Sequence, residues 1–405
     1  MGLNPFDQIR ESQDDERPLP GVAYRDAEVF ALEARTLLRD SWTSVACGQN
    51  VAEPGDLLPV RIADQSLLVV RGSERDGEIR VFYNLCRHRG APLADTKCAA
   101  TGGRITCPYH AWSYDLEGGL LAAPHFHRDG GDGQPTAEER ADLGLLPVRS
   151  ALWRDIVFVN LTGDARPFED FIRPLDERLA KWPAAELRPL SSDEYEIQAN
   201  WKLAAENFLD AYHLPVLHAQ AGIGFGGILP MENIQLSPDI VGVILPGFYE
   251  GSQVQAESTL PRFSALSDDE AATVEVYAVF PNTLILVEPE DQQVIVLRPQ
   301  SAAVTHETFA NYLVSDASQT EALAKERDEL YREAIEINDQ DASLLAGQQL
   351  TRAMDVGGKT HLTQAWDQTN RRFQRLWAQR LLAGLEREPR NRTVSERRPD
   401  PSRTL

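Results

Sequence analysis

The chain is poor in cysteine, in basic charge and in long apolar runs. Its 405 residues include only four cysteines, and 62 acidic residues outnumber 40 basic ones, which gives a formal net charge of −22. This charge argues against nucleic-acid binding, which needs a basic surface. Four cysteines do not make a disulfide framework in a protein of this size. No apolar run is long enough to span a bilayer and the polar N-terminus lacks a secretion signal, so we expect a soluble, cytoplasmic protein with no membrane contact.

The sequence divides into two regions that differ in residue pattern. Residues 42–161 consist of short β-rich runs separated by Gly, Asp and Pro, which predicts an all-β domain. Residues 162–387 combine helical segments with consecutive strands, which predicts an antiparallel sheet with flanking helices. We expect residues 1–41 to pack on this second domain and the Pro- and Arg-rich tail 388–405 to be disordered. The expected fold class is therefore α+β.

Three helices of the second domain bear on function. Residues 201–213 contain no Pro or Gly and read as one helix. Ser318 followed by Glu321 has the pattern of a capping box, which predicts the start of a long helix. A last helix is expected over residues 362–382, with Gly384 as its stop. Its helically spaced aromatic residues, which we assign to the core, are Trp366, Phe373 and Trp377.

Two short motifs in the β domain each supply one cysteine and one histidine. Cys86 is followed by His88, and Cys107 is followed by His110. A zinc finger usually takes both cysteines from one knuckle, whereas a Rieske [2Fe–2S] centre needs two thiolates on one iron and two imidazoles on the other. The alternatives are a zinc site and four residues without a shared role. The paired spacing favours the Rieske centre over both.

A second group of potential metal ligands lies in the other domain. Asp210 precedes His213 by three residues, so the two side chains share a face if the segment is helical. Pro215 disfavours helix at the residue before it, which lets His218 bend back towards His213. Two imidazoles that converge beside a carboxylate are typical of a metal site that needs one further ligand.

Together, these paired motifs resemble those of the Rieske non-haem iron oxygenases, in the α subunit of the aromatic-ring-hydroxylating dioxygenases. The resemblance extends from about Trp42 to Leu382. It implies a Rieske [2Fe–2S] domain held by Cys86, His88, Cys107 and His110, followed by a catalytic domain of the helix-grip (START-like) fold. One departure is Ala111, which stands where a glycine is frequent in the family.

The resemblance also implies a mononuclear Fe(II) held by two histidines and one carboxylate. His213 and His218 match the histidines. Asp341 is our choice for the carboxylate because a glutamine, Gln349, follows it by the family's spacing, and Asp339 is its rival. In related enzymes the equivalent of Asp210 is not a ligand. It joins a cluster-ligating histidine of the neighbouring subunit to an iron-ligating histidine, and we expect the same electron-transfer role here.

The function implied is that of the terminal oxygenase component of a multicomponent Rieske oxygenase. Such a component uses O2 and electrons from NAD(P)H, which arrive through a reductase and in some cases a ferredoxin. It hydroxylates, dihydroxylates or demethylates a small organic substrate. An electron path between subunits implies a homotrimer, with or without β subunits.

The substrate is expected to be aromatic, as in the catabolism of aromatic hydrocarbons. The alternative is the monooxygenation or demethylation of a quaternary ammonium compound such as a betaine or carnitine. A different class of function would be a non-catalytic Rieske electron-transfer or ligand-binding protein. The predicted pocket residues are Gly222–Gly227 with Phe225, then Phe248, Tyr249, Tyr277, Phe280 and Leu284.

Overall fold

The computed structural model describes residues 4–14, 17–62, 64–75, 77–127, 133–219, 231–248, 258–354, 356 and 359–387. Three predictions lie outside these residues. They are the disordered tail 388–405, the glycine-rich segment 222–227 and the pocket residue Tyr249.

Helices belong mainly to the two ends of the chain. The described helices are α1 Pro5–Asp14, α2 Val22–Arg25, α3 Ala27–Leu32, α4 Leu38–Asp40, α5 Ala137–Asp142, α6 Phe168–Arg178, α7 Trp201–Phe208, α8 Leu214–Leu217, α9 Ala324–Arg352 and α10 Gln368–Arg387. A π-helical turn, Glu33–Leu37, connects α3 to α4. None of the described helices is both long enough and apolar enough to cross a lipid bilayer.

The first domain contains small antiparallel sheets, as its sequence predicted. Its strands are β1 Thr43–Cys47, β2 Asp56–Ile62, β3 Gln65–Arg71, β4 Ile79–Tyr83, β5 Cys98–Ala99, β6 Ile105–Thr106, β7 Ser113–Tyr114, β8 Leu120–Ala122, β9 Arg149–Trp153 and β10 Ile156–Asn160. They form the sheets β4–β3–β2–β5, β6–β7–β8 and β1–β10–β9.

The second domain is built on one seven-stranded antiparallel sheet. Its strands are β11 Leu187–Ile197, β12 Glu232–Ser237, β13 Ile240–Leu245, β14 Val274–Val279, β15 Thr283–Val287, β16 Asp291–Ser301 and β17 Val304–Val314. Their order is β11–β17–β16–β15–β14–β13–β12, so β11 crosses to one edge while the other strands follow the chain. The predicted α+β class is confirmed.

Alternate residues of this sheet enter two different cores. Val276 and Phe309 face one core together with Trp201 of α7 and Trp377 of α10. Tyr277, the next residue after Val276, faces the opposite core, which includes α6 and residues of β1 and β10. This period of two follows from strand geometry and places the helices that carry the candidate ligands on one face of the sheet.

Asn282 fixes the first domain against the second. Its side-chain amide donates to the carbonyls of Ser44 (2.8 Å) and Leu297 (2.7 Å), and its side-chain oxygen accepts from the Ser44 N–H (3.0 Å). Ser44 lies in β1, whereas Asn282 directly precedes β15 and Leu297 lies in β16 of the large sheet. A buried amide that satisfies both strands gives the domain contact a defined register.

Two helix boundaries differ from the predictions. The helix α7 ends at Phe208 instead of His213, because the Asp210 side chain accepts the Tyr212 N–H (2.7 Å) in a turn that competes with helix. The helix α9 begins without a side-chain cap. The hydroxyl of Ser318 is used elsewhere, since it donates to the carbonyl of Ser315 (2.7 Å).

Gly384 does not stop the last helix, which was the prediction. It lies inside α10 and is buried. A Cβ at this position would lie 2.6 Å from Thr36 Oγ1, so the glycine allows α10 to approach the π-helical turn closely. Phe373 and Trp377 are buried as predicted, whereas Trp366 precedes α10 and stacks on Tyr212 with ring centroids 5.1 Å apart.

Candidate metal centres

Two loops of the first domain carry Cys86 and Cys107, and they share one backbone hydrogen-bond pattern. The Cys86 N–H donates to the carbonyl of Ala91 (2.8 Å), as the Cys107 N–H donates to that of Trp112 (2.7 Å). Both loops are therefore closed over the same number of residues. This repeated closure holds the cysteine at the base of each loop and the histidine near its tip.

The residue four positions after each cysteine is left-handed in both loops. Gly90 has φ 74° and Ala111 has φ 58°. Their N–H groups donate to the carbonyls of Cys86 (2.9 Å) and Cys107 (3.1 Å), so the conformation is part of the loop closure. Glycine adopts it freely, whereas an L side chain is disfavoured by about 1 kcal/mol or more. Ala111 is thus the residue at which the second loop is strained.

Within these loops, the structure brings the four predicted cluster ligands together as a thiol pair and an imidazole pair. Cys86 and Cys107 are buried and their thiols interact with each other. His88 and His110 are exposed, and their ring centroids lie 4.8 Å apart. Two sulfur donors on the inside and two nitrogen donors on the outside fit a Rieske cluster, in which each iron takes one kind of ligand.

Neighbouring side chains hold these donors in place. The Tyr114 hydroxyl lies 3.3 Å from Cys86 Sγ, and the indole of Trp112 stacks on His88 with the ring planes 9° apart. Burial raises the pKa of the Cys107 thiol. Slight burial, followed by the charges of His110 and Arg89, lowers the pKa of His88, which favours the neutral imidazole that binds metals.

In the second domain, three potential ligand atoms converge. The Nε2 atoms of His213 and His218 lie 3.2 Å apart. Asp341 Oδ1 lies 3.6 Å from the first and 3.3 Å from the second. These three residues form a group of metal-ligand side chains whose donor atoms all lie within 4.8 Å of one another. The rival carboxylate, Asp339, is not part of this group.

Hydrogen bonds on the far side of each imidazole assign its tautomer. His213 Nδ1 lies 3.1 Å from Asp210 Oδ2, and His218 Nδ1 lies 2.8 Å from Gln340 Oε1. Both partners are oxygen acceptors, so each neutral ring holds its proton on Nδ1. The Nε2 lone pairs then point to the convergence point, which is the arrangement by which carboxylates and amides orient metal-binding histidines.

This convergence point fits a cation. Asp341 Oδ1 is buried and has no hydrogen-bond partner among the described residues. Burial opposes a charge on His218, but Asp341 and Gln340 outweigh it and raise the pKa of that imidazole. A second proton on His218 would satisfy one pair of these atoms, whereas a metal ion would satisfy all three at once. Two imidazoles and one carboxylate are the donor set of non-haem Fe(II) sites.

The predicted contact between Asp210 and His213 is present, but it does not lie on a helix face. Asp210 is in the turn after α7, and His213 is the residue before α8. The carbonyl of His213 accepts the Leu217 N–H (2.8 Å), which starts α8 and directs His218 back towards His213. Pro215 is accommodated in the first turn of α8, where its missing N–H costs nothing.

The carboxylate comes from the middle of α9 and not from a helix end. Gln349, two turns after Asp341, is buried, and its Oε1 accepts the Asn200 N–H (3.0 Å). Asn200 caps α7 through the Lys202 N–H (3.1 Å), so Gln349 ties α9 to the start of the segment that carries the histidines. Gln340 was not predicted as a site residue, because its only signal in the sequence is its position next to Asp341.

These three atoms open onto a cavity of about 500 Å³. Of the described pocket predictions, Phe248 lines the cavity, whereas Tyr277, Phe280 and Leu284 do not. Tyr277 is on the other face of β14, and Phe280 packs on Trp201 in the core. The apolar lining residues in the described chain include Phe208, Leu214, Val243, Leu245, Phe248, Leu260, Val276, Leu286, Ile295, Phe309, Leu330, Ala334 and Ile337.

Two family models match the chain, one for each domain. Residues 41–139 match a Rieske [2Fe-2S] domain, and residues 184–383 match the catalytic domain of the ring-hydroxylating alpha subunit. The glycine betaine monooxygenase oxygenase subunit of Chromohalobacter salexigens is 35% identical over 217 residues, which are 53% of this chain and 46% of that protein. The biphenyl dioxygenase subunit alpha of Metapseudomonas furukawaii is 31% identical over an alignment of 231 positions, which covers 53% of this chain and 48% of that protein. The matches span about half the length of these curated relatives.

Solved structures share the fold of both domains. A quaternary ammonium Rieske monooxygenase in complex with L-carnitine superposes with a TM-score of 0.70 at 23% identity, over 94% of this chain and 99% of that one. Naphthalene 1,2-dioxygenase from Rhodococcus sp. superposes with a TM-score of 0.73 at 21% identity, over 93% of this chain and 97% of that one. Since both domain models match in the order that the two metal-binding motifs predicted, the chain belongs to the Rieske non-haem iron oxygenase α subunits.

Proposed function

We propose that this protein is the terminal oxygenase component of a multicomponent Rieske oxygenase. The observation that carries the proposal is the convergence of His213, His218 and Asp341 on the wall of a cavity large enough for a small organic substrate. For hydroxylation the balance is R–H + O2 + 2 e⁻ + 2 H⁺ → R–OH + H2O. The two electrons come from NAD(P)H through a reductase, with or without a ferredoxin, which places the reaction in the cytoplasm.

Under this proposal, Cys86, His88, Cys107 and His110 hold a Rieske [2Fe–2S] cluster. His213, His218 and Asp341 hold a mononuclear Fe(II). When bound, the cluster supplies single electrons and the Fe(II) supplies the position at which O2 is activated. The support is the chemistry of the two donor sets and the assigned tautomers of the two histidines.

The chain's own residues then have separable tasks. Asp210 and Gln340 hold the proton on Nδ1 of their histidines, so that both Nε2 atoms stay available. The carboxylate of Asp341 offsets positive charge at the convergence point. The apolar side chains of the cavity wall offer contacts to the hydrocarbon part of the substrate.

The exposed imidazoles point to electron transfer between subunits. His88, His110 and Tyr109 are exposed at the tip of the first domain, and Tyr109 is 58% accessible. Asp210 is partly accessible, beside the 54% exposed Tyr212. A second copy that docks its cluster loops on this surface would bring an exposed histidine to Asp210. Such head-to-tail contacts generate a ring, and we propose the homotrimer.

The substrate is a small organic molecule of one of two classes. The relative named as a biphenyl dioxygenase supports an aromatic substrate, and the apolar walls are compatible with it. The relative named as a glycine betaine monooxygenase supports the alternative, an ammonium compound.

Two measurements on the purified protein test the proposed activity. Iron analysis should find the cluster irons plus one further iron per chain, and the cluster should show a Rieske visible spectrum. With a reductant and an electron-transfer partner, O2 uptake should depend on substrate across a panel of arenes, aryl methyl ethers and betaines.

His213→Ala is the matched control, since it should abolish substrate-dependent uptake and leave the cluster spectrum unchanged. A protein that holds the cluster but no further iron, and that consumes no O2 with any substrate of the panel, would instead be a non-catalytic Rieske protein.

A further inference from the structure

The cavity continues along α9, away from the three converging ligand atoms. Asp341 and Glu333 both line it and are eight residues apart, which corresponds to about 12 Å along a helix axis. Between them the wall of α9 is formed by Asn338, Ile337 and Ala334. A ligand that reaches from one end of the cavity to the other therefore passes a middle section of α9 that is apolar apart from Asn338, whose side-chain amide donates to Glu307 (3.0 Å).

The far end of the cavity is acidic. The turn between β15 and β16 contributes Glu288, Glu290 and Asp291, and α9 contributes Glu333. The turn is fixed, because the Glu288 N–H donates to the carbonyl of Asp291 (3.1 Å) and the carbonyl of Glu290 accepts the N–H of Val314 (3.0 Å). The carboxylates therefore face the cavity from a rigid hairpin end.

One of these carboxylates has an unsatisfied oxygen that is fully buried. Asp291 is 2% exposed, lines the cavity, and its Oδ1 has no hydrogen-bond partner among the described residues. Burial raises the pKa of Asp291 well above its usual range, and the charge of Glu288, a hydrogen bond between these two carboxyl groups, and the charges of Glu290 and Glu333 raise it further. A buried polar atom in this state costs free energy unless a ligand satisfies it.

Two nearby cations are engaged with Glu290 and Glu329. Arg262 Nε lies 3.3 Å from Glu290 Oε1, and Lys325 Nζ lies 3.5 Å from Glu329 Oε1. Burial raises the pKa of Glu333, and the charges that act on it are those of the acids Glu288 and Glu336. The carboxyl groups at the end of the cavity that holds Asp291 and Glu333 thus raise one another's pKa, and a bound cation would favour their charged forms.

We propose that Asp291, Glu288 and Glu333 bind a positively charged nitrogen of the substrate, at the opposite end of the cavity from the carbon that is oxidised. This inference rests on the proposed oxygenase function. It restricts the substrate to an organic cation whose ammonium group is separated from the reacting carbon by an apolar spacer of about 12 Å. The apolar walls between the two ends favour such a molecule over a bare metal ion, which would need a compact shell of oxygen ligands.

Binding of matched probes to the holo-oxygenase tests the proposal. The probes are n-octylamine, which is an ammonium ion at neutral pH, 1-octanol and octanoate, measured by anaerobic titration calorimetry. Octylammonium should bind about tenfold or more tightly than 1-octanol, and octanoate should not bind detectably. Asp291→Asn and Glu333→Gln should each weaken octylammonium binding by about tenfold and leave 1-octanol binding within about twofold.

Asp328→Asn is the control, because Asp328 is an exposed acid of α9 that does not line the cavity. It should change neither affinity. Equal affinities for octylammonium and 1-octanol, or equal losses of both in the variants, overturn the proposal. Millimolar Ca²⁺ that binds wild type and loses binding in Asp291→Asn also overturns it, because the acidic end would then be a metal site.

O2 uptake separates this inference from the proposed function. If neutral arenes drive O2 uptake while octylammonium binds no better than 1-octanol, the oxygenase proposal is supported and the cation site is refuted. The opposite outcome is that the probes bind as expected, but no probe drives O2 uptake and no mononuclear iron is found. That outcome supports the cation site and refutes the oxygenase proposal.

Discussion

Asp341 Oδ1 lies 3.3 Å from His218 Nε2, although the hydrogen bond from His218 Nδ1 to Gln340 leaves that Nε2 atom without a proton in the neutral ring. Two lone pairs that face each other in a partly buried place repel unless a cation lies between them. The packing of α9 against the segment with the histidines brings the two atoms together. One contact in this packing is the hydrogen bond from the Asn200 N–H to Gln349 Oε1, which joins α9 to the start of α7. The packing of the second domain therefore creates a place that requires a positive charge, either a second proton on His218 or a metal ion.

Removal of the Asp341 carboxylate should release the proposed mononuclear iron. We expect Asp341→Ala to bind Fe(II) at least roughly 100-fold more weakly, because one of three protein ligands is lost and the two imidazoles lack a countercharge. Iron analysis after gel filtration measures the loss, and the visible spectrum of the cluster should not change. Asp339→Ala is the matched control and should retain iron. Loss of iron from Asp339→Ala but not from Asp341→Ala would assign the ligand to Asp339.

Gln340 should matter for iron binding although it is not a proposed ligand. Its Oε1 accepts from His218 Nδ1, so Gln340→Leu removes the acceptor while it keeps a similar side-chain volume. We expect an Fe(II) affinity lower by about 10- to 100-fold, with the fold intact. Competition with a chelator of known affinity measures it. Gln340→Glu restores an acceptor and should recover most of the affinity, which a purely steric role would not allow.

Asp210 should control electron transfer more than metal loading. Asp210→Asn keeps an oxygen that can accept the Tyr212 N–H, so the turn should survive. The charge beside His213 is lost, and we expect coupled turnover to fall by about 10- to 100-fold. Stopped-flow oxidation of the reduced cluster, with O2 and substrate, measures the rate. If the variant holds both metal centres and its turnover stays near that of wild type, Asp210 does not form the proposed electron-transfer bridge.

Co-expression of two inactive variants tests whether the electron path crosses a subunit boundary. Asp210→Asn retains the cluster ligands, and Cys86→Ser retains Asp210 and the second centre. In mixed rings, the cluster of the first chain should reduce the second centre of its neighbour and restore part of the O2 uptake. Mixed rings that stay inactive would indicate a path within one chain, provided that both chains are present in the purified ring.

The sequence predicted which residues converge better than it predicted the structure around them. The residues Asp210 and His213 are so close in the chain that their contact survives a change from helix to turn. The contact of Gln340 with His218 depends on how α9 packs on α8, which no local pattern encodes. Tyr277 was misplaced for a related reason, since alternation along β14 shows two faces but not which of them lines the cavity.

Gly384 is another residue whose role depends on long-range packing. A glycine near the end of a helix can serve as a stop or can allow another element to approach. The sequence pattern is the same in both cases, and only the position of Thr36 decides between them. Long-range packing was thus the part of the fold that no local sequence pattern revealed.

The exchange of alanine and glycine between the two cluster loops should change stability in opposite directions. Ala111 and Gly90 occupy equivalent left-handed positions, with φ 58° and 74°. Ala111→Gly relieves strain at the cost of some chain entropy, so we expect a net stabilisation of about 0.5–1 kcal/mol. Gly90→Ala introduces the strain and should destabilise by about 1 kcal/mol or more.

Thermal bleaching of the cluster absorbance reports on these loops directly, because the two cysteines and two histidines that we propose as cluster ligands converge only while both loops are closed. The midpoint should rise in Ala111→Gly and fall in Gly90→Ala, and the double variant should lie between them. If Ala111→Gly lowers the midpoint instead, the methyl group of Ala111 contributes a contact that outweighs the strain of its backbone.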